Sequence, residues 1–166
     1  MTTRLYSMKD ADGTWVPQFP APTIRMRAGE TCYVSVENHL STSAGRNDEC
    51  PSHHNEYHCP DTSVLHTHGL HVSPKQDKID SVVNTESSYN YVYEMPADHM
   101  AGTHWWHAHY HGSTTIQVMG GMAGALLVEN DSPAYEKPAE LAVRVLLLLL
   151  LLLLLLLGLL LLCLWL

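Results

Sequence analysis

The sequence predicts an all-β domain, a Greek-key β-sandwich, with a hydrophobic, helical segment at its C-terminal end. Three observations predict it. Apolar and polar residues alternate with period two over most of residues 5–130, as half-buried strands require. Clusters of Pro, Gly, Asp and Asn separate the alternating runs, and many short strands with polar connections pack as two antiparallel sheets. The tail, residues 145–166, carries no charged side chain and contains an unbroken leucine run over 146–157.

Taken in order, the first clear strand is residues 23–27, where Ile24 and Met26 alternate with Thr23, Arg25 and Arg27. An Ala28-Gly29-Glu30 turn follows, then Cys32, Val34 and Val36 alternate with polar neighbours and Tyr33. The two runs read as a hairpin. Residues 64–71, 89–95, 103–109 and 124–129 supply four further strands, and no stretch carries a competing amphipathic helix. The predicted organisation is a domain over residues 1–130, its N-terminal strand incomplete, a linker over 131–144 with Pro133 and Pro138, and the leucine-rich segment over 145–166.

Length and charge restrict the function classes. A chain of 166 residues holds one domain and an appendage. A net charge of −8 and only nine Lys and Arg exclude a general nucleic-acid binder, because phosphate recognition needs clustered cations. Twelve histidines outnumber those cations and point to a metal site, since imidazole is the commonest protein ligand for transition metals.

The histidines concentrate in two segments, Leu65-His66-Thr67-His68-Gly69-Leu70-His71 and Gly102-Thr103-His104-Trp105-Trp106-His107-Ala108-His109-Tyr110-His111-Gly112. Each contains a His-x-His pair. On a strand, residues i and i+2 share a face at about 6.6 Å between Cα atoms. Two neighbouring strands with such pairs would therefore present four neutral nitrogen donors, His66, His68, His107 and His109, on one patch. Such donors suit copper, which stands highest in the divalent affinity series. A solvated histidine face or an adventitious zinc site is the plainer reading of one such pair; two pairs favour a metal centre. His71 and His104 lie out of phase with the pairs and are expected at the surface or behind the ligands. His111 is in phase, and Trp105 and Trp106 are expected to pack beside the site.

His66-Thr67-His68-Gly69-Leu70-His71-Val72-Ser73-Pro74, followed by Gly102-Thr103-His104-Trp105-Trp106-His107-Ala108-His109, resembles the first plastocyanin-like domain of multicopper oxidases, the laccase and bilirubin-oxidase group, and its bacterial-type members in particular. Pro22-Thr23-Ile24-Arg25-Met26-Arg27-Ala28-Gly29-Glu30 and Gly120-Gly121-Met122-Ala123-Gly124-Ala125 extend the resemblance over residues 5–130. It implies a cupredoxin-like fold in which His66 binds a type 2 copper and His68, His107 and His109 bind a type 3 pair. That is half of a cluster that reduces O2 with electrons from a reducing substrate. Asp80 stands near the position of a family carboxylate that helps deliver protons, or is a solvated loop residue. The resemblance also implies that the other ligands and the type 1 copper come from missing cupredoxin domains or a partner chain. None of the four cysteines lies between two histidines, so the expectation is a copper-binding domain inactive alone. The rival expectation is a membrane-tethered copper-binding module without turnover.

Cys50 and Cys59 flank a polar insertion that a disulfide would close, suiting an oxidising compartment, or they are two free thiols. Cys32 is expected as a small core residue. Residues 1–9 lack a signal-peptide h-region, so the protein is not exported or its start is missing. Residues 145–166 have the length of a membrane span. A lipid-anchor signal with Ser132 as acceptor and translated repetitive DNA are the alternatives. Arg144 alone favours a cytosolic domain, whereas the possible disulfide and the family's usual location favour a single-pass protein with the copper domain outside the cytoplasm.

Overall fold

In the computed structural model, residues 4–40 and 56–132 are described, and residues 1–130 group as one compact unit. Eight strands and two short helices are defined among them: β1 (Ser7–Lys9), β2 (Trp15–Pro17), β3 (Ala21–Arg27), β4 (Thr31–Asn38), β5 (Leu65–His68), α1 (Pro74–Asp77), β6 (Ser87–Glu94), β7 (Gly102–Ala108), α2 (Thr114–Gly120) and β8 (Ala123–Glu129). A four-stranded sheet has the order β3-β8-β7-β5, with β3 and β8 parallel and the other pairs antiparallel. Strands β4 and β6 form a second, antiparallel sheet, and β1 pairs with β2.

The core lies between the four-stranded sheet and the β4–β6 pair. Met26 of β3, Leu65 of β5, Trp106 of β7, and Leu126 and Val128 of β8 meet Tyr91 and Tyr93 of β6, with Ile24, Cys32, Val34 and Val36 packed against them. Period two explains the facing. On β6, Tyr91 and Tyr93 are fully buried while Asn90, Val92 and Glu94 are exposed. On β8, Gly124, Leu126 and Val128 are buried between partly exposed neighbours. Burying a side chain such as Leu126 stabilises the sandwich by about 1.5–3 kcal/mol.

The expected hairpin of residues 23–36 is corrected. The chain does turn at Ala28-Gly29-Glu30, but β3 pairs with β8 and β4 with β6, so the turn crosses from one sheet to the other. The apolar stripes of the two strands, Ile24 and Met26 on one and Val34 and Val36 on the other, meet the same core from different sheets. The β1–β2 hairpin and both helices were not expected. The hairpin is closed by Asp10, whose carboxylate accepts from the Asp12 and Thr14 amides.

Both helices serve β5. α1 is a single turn begun by Ser73, which accepts from the Lys75 amide, and by Pro74 at its first position. α2 carries Gln117, fully buried, whose amide donates to the Pro60 and Thr62 carbonyls and accepts from the Ser63 hydroxyl, fixing the segment that leads into β5. Among the described residues no helix is long and apolar enough to cross a membrane. The linker from residue 133 and the segment 145–166 lie outside the described residues.

Candidate metal centre

β5 is the edge of its sheet, and side chains cover its free side. The Leu65 amide donates to the Tyr91 hydroxyl at 3.1 Å and the Thr67 amide to Asp77 at 2.9 Å. The other side pairs with β7 in a register that sets His66 opposite His107 and His68 opposite Trp105. The His109 amide then donates to the Val64 carbonyl at 2.8 Å, bringing His109 alongside the same face.

The four histidines of the two His-x-His pairs therefore converge. Ring centroids lie 5.5 Å apart for His66 and His68, 5.2 Å for His66 and His107, 4.8 Å for His66 and His109, and 5.5 Å for His107 and His109. Donor atoms of His66, His68 and His107 all lie within 4.8 Å of one another. Trp105 shares this face and stacks on His107 at 4.2 Å and on His68 at 5.0 Å, while Trp106 points into the core and donates to the Pro22 carbonyl. His68 and His109 are exposed and His107 is buried, so the patch has an inner wall and an open front.

Hydrogen bonds select the tautomers. His107 donates Nδ1–H to the Ala108 carbonyl at 2.9 Å, so the lone pair lies on Nε2, which faces His68 Nδ1 at 3.4 Å. Burial lowers its pKa, partly offset by that bond, and the fields of His66, His109 and His68 lower it further, so the ring is held neutral. His66 donates Nδ1–H to Asp77. Burial pushes the Asp77 carboxyl up, but bonds from His66, the Thr67 hydroxyl and the Thr67 amide outweigh it and hold the group below the usual carboxylate range. An ionised carboxylate fixing one imidazole nitrogen so that the other faces a metal is the usual support of a histidine ligand. The donor set fits a transition metal that takes imidazole nitrogen, copper included.

The carboxylate at the patch is thus Asp77, where the sequence suggested Asp80. Asp80 is exposed, and its field falls on Lys78 and Tyr89. The single turn of α1 directs Asp77 back onto β5, and Ser73-Pro74, a helix-start pair, is the sequence signal that would have found it. His71 and His104 join neither pair; they lie with buried His99, at centroid distances of 5.2 and 5.6 Å from it. His111 faces His58 at 5.8 Å. Cys59 is disulfide-bonded, and Cys50, its expected partner, lies outside the described residues. Cys32 is a free thiol, half-buried rather than enclosed.

Residues 52–133 match the family described as "Multicopper oxidase". The chain is similar to Laccase-1 of Cryptococcus neoformans, 28% identical over 72% of this chain and 16% of that one. It is 30% identical to a multicopper oxidase of Oryza sativa over 74% of this chain and 24% of the relative. Among solved structures it resembles the multicopper oxidase of Campylobacter jejuni, with a TM-score of 0.54 and 28% identity over 72% of this chain and 21% of that one. The chain therefore spans about a sixth to a quarter of these proteins.

Proposed function

The chain carries a cupredoxin-like domain of the multicopper oxidase family, a family that binds copper, and from that premise we propose that it contributes half of a type 2 and type 3 copper cluster for the reduction of O2 to water. His66 would hold the type 2 copper, and His68, His107 and His109 would hold the type 3 pair. The single observation that carries this reading is the convergence of both His-x-His pairs on one face, where bonds at Nδ1 put the lone pairs of His66 and His107 on Nε2. Bound copper supplies the one-electron steps between a reducing substrate and O2.

The residues of this chain supply the geometry. Asp77 keeps the His66 proton on Nδ1, and the Ala108 carbonyl does the same for His107. Trp105 shields one flank of His68 and His107 from water. The exposed fronts of His68 and His109 face outward, where the remaining ligands arrive from a further cupredoxin domain or a partner chain. The same reading puts the domain outside the cytoplasm, tethered through residues 145–166. The disulfide at Cys59 supports that compartment.

Copper titration of the purified chain tests the proposal. Wild type should take up copper without intense blue colour, which needs a type 1 copper–thiolate bond. The double variant His66→Ala/His107→Ala should lose at least about 100-fold in affinity while keeping a folded circular-dichroism spectrum. Equal uptake by both proteins would refute the assignment.

A further inference from the structure

Residues 69–77 leave β5 directly after His68 and return at Asp77 to bond His66, so both ends of this loop lie at the copper patch. Its path is set in the middle by a histidine outside both His-x-His pairs. Gly69, at φ +95°, starts the loop beneath the His104 ring, and two residues on the His71 amide donates to His99 Nε2 at 3.0 Å. His99 is only 3% exposed, and its other nitrogen donates to the Met100 carbonyl at 2.9 Å. Its backbone is held on both sides, the amide donating to the Pro96 carbonyl at 3.1 Å and the carbonyl accepting from the Asn130 side chain at 2.8 Å. Nδ1–H is fixed by an acceptor, so Nε2 must be the acceptor for His71. Both nitrogens are engaged, and His99 has no lone pair left for a metal.

We propose that His99 is a positioning residue for the copper patch. By holding the His71 amide it fixes the loop that joins His68 to Asp77. It thereby sets the angle at which Asp77 meets His66 Nδ1. Leu70 and Val72 pack against the core on either side of that amide, so release of the hydrogen bond would leave the loop attached but its turn unspecified. The effect on the metal passes through loop and carboxylate, and the inference rests on the copper reading above.

The experiment compares His99→Gln with His99→Asn in the full chain, titrated with Cu(II) and followed by calorimetry and electron paramagnetic resonance. A Gln amide reaches about as far as Nε2 and keeps an acceptor for His71; an Asn amide reaches only as far as Nδ1. His99→Asn should bind copper roughly tenfold more weakly with an altered copper hyperfine pattern, the scale of other outer-shell losses, and His99→Gln should stay within about twofold of wild type. Identical affinity and spectrum in both variants, whether matching wild type or equally reduced, would overturn the positioning role. Should His99→Asn fail to fold, nitrogen NMR of wild-type His99 decides: the Nδ1–H tautomer is expected, and the Nε2–H tautomer leaves no acceptor and overturns it. Wild type binding no more copper than the His66→Ala/His107→Ala variant would instead remove the copper reading itself, and this inference with it.

Discussion

The domain holds two histidine groups, one along β5 and β7 and the other made by His104 of β7 with His71 and His99 from loops, and they differ in what their nitrogens are doing. In the β5–β7 patch, His66 and His107 each donate Nδ1–H to a protein acceptor and keep a lone pair on Nε2, that of His107 facing His68 at 3.4 Å, and His68 and His109 open to the exterior. In the group of His71, His99 and His104, the buried member has both nitrogens in hydrogen bonds to the chain, and the ring of His104 lies over Gly69. Proximity of imidazoles is common to both groups. In the patch the Nε2 lone pairs of His66 and His107 are oriented by bonds at Nδ1 and take no backbone donor, and that separates a site that could hold a metal from one that holds a loop.

Asp77→Asn should produce the largest effect, because it attacks the orientation of the patch and leaves the other group intact. An Asn amide can still accept from Thr67, but its NH2 would face His66 Nδ1 and favour the tautomer with the proton on Nε2. Copper affinity should fall about 10- to 100-fold with little loss of thermal stability. Unchanged affinity would show that the tautomer of His66 is not set by this carboxylate, and the contrast between the two groups would weaken accordingly.

Gly69→Ala should come next, and it reads mainly as stability. The residue sits at φ +95°, and a Cβ there would lie 2.8 Å from His104 Nδ1. A non-glycine residue in such a conformation costs about 1–3 kcal/mol, before the imidazole is pushed aside. Urea unfolding should show that loss. A variant as stable as wild type would mean that the loop start is free to relax, and that His104 does not support it.

The sequence foretold the strands whose apolar period is unbroken, and the patch that depends only on that period. Ile24, Met26, Val34, Val36, Tyr91, Tyr93 and Leu126 fall where alternation puts them, and His66, His68, His107 and His109 share a face for the same reason. Pairing was less legible. An apolar stripe says that a strand has an inner face but not which neighbour it joins, so β3 and β4 read as a hairpin although they belong to different sheets. Asp77 and His99 were missed because each acts from a loop or a single helical turn, where no period marks direction. The polar text around Asp77 and Asp80 offers two carboxylates, and only the turn of α1 distinguishes them.

The smallest expected effect is a pH dependence that belongs to the loop-holding group, measured without copper. Burial, then the fields of His99 and His71, lower the His104 pKa below its ordinary value of about 6.5. In the window between that lowered value and about 6.5, the unfolded chain holds a proton that folded His104 refuses. Stability is therefore fully present above about pH 6.5 and is lost as pH falls through the window. Asp77 contributes in a lower window, because its carboxyl is depressed and its stabilisation is lost only as pH falls below about 3.9 toward its folded value. His107, also lowered, acts in the same sense as His104, so the two must be separated by substitution. His104→Gln should narrow the difference between the urea midpoints at pH 5 and pH 7, and His107→Gln should narrow it independently. If His104→Gln leaves the pH dependence of wild type intact, the imidazole over Gly69 titrates alike in the folded and unfolded chain. Its place beside His99 would then carry no electrostatic weight, and the loop-holding group would reduce to His99 and the His71 amide.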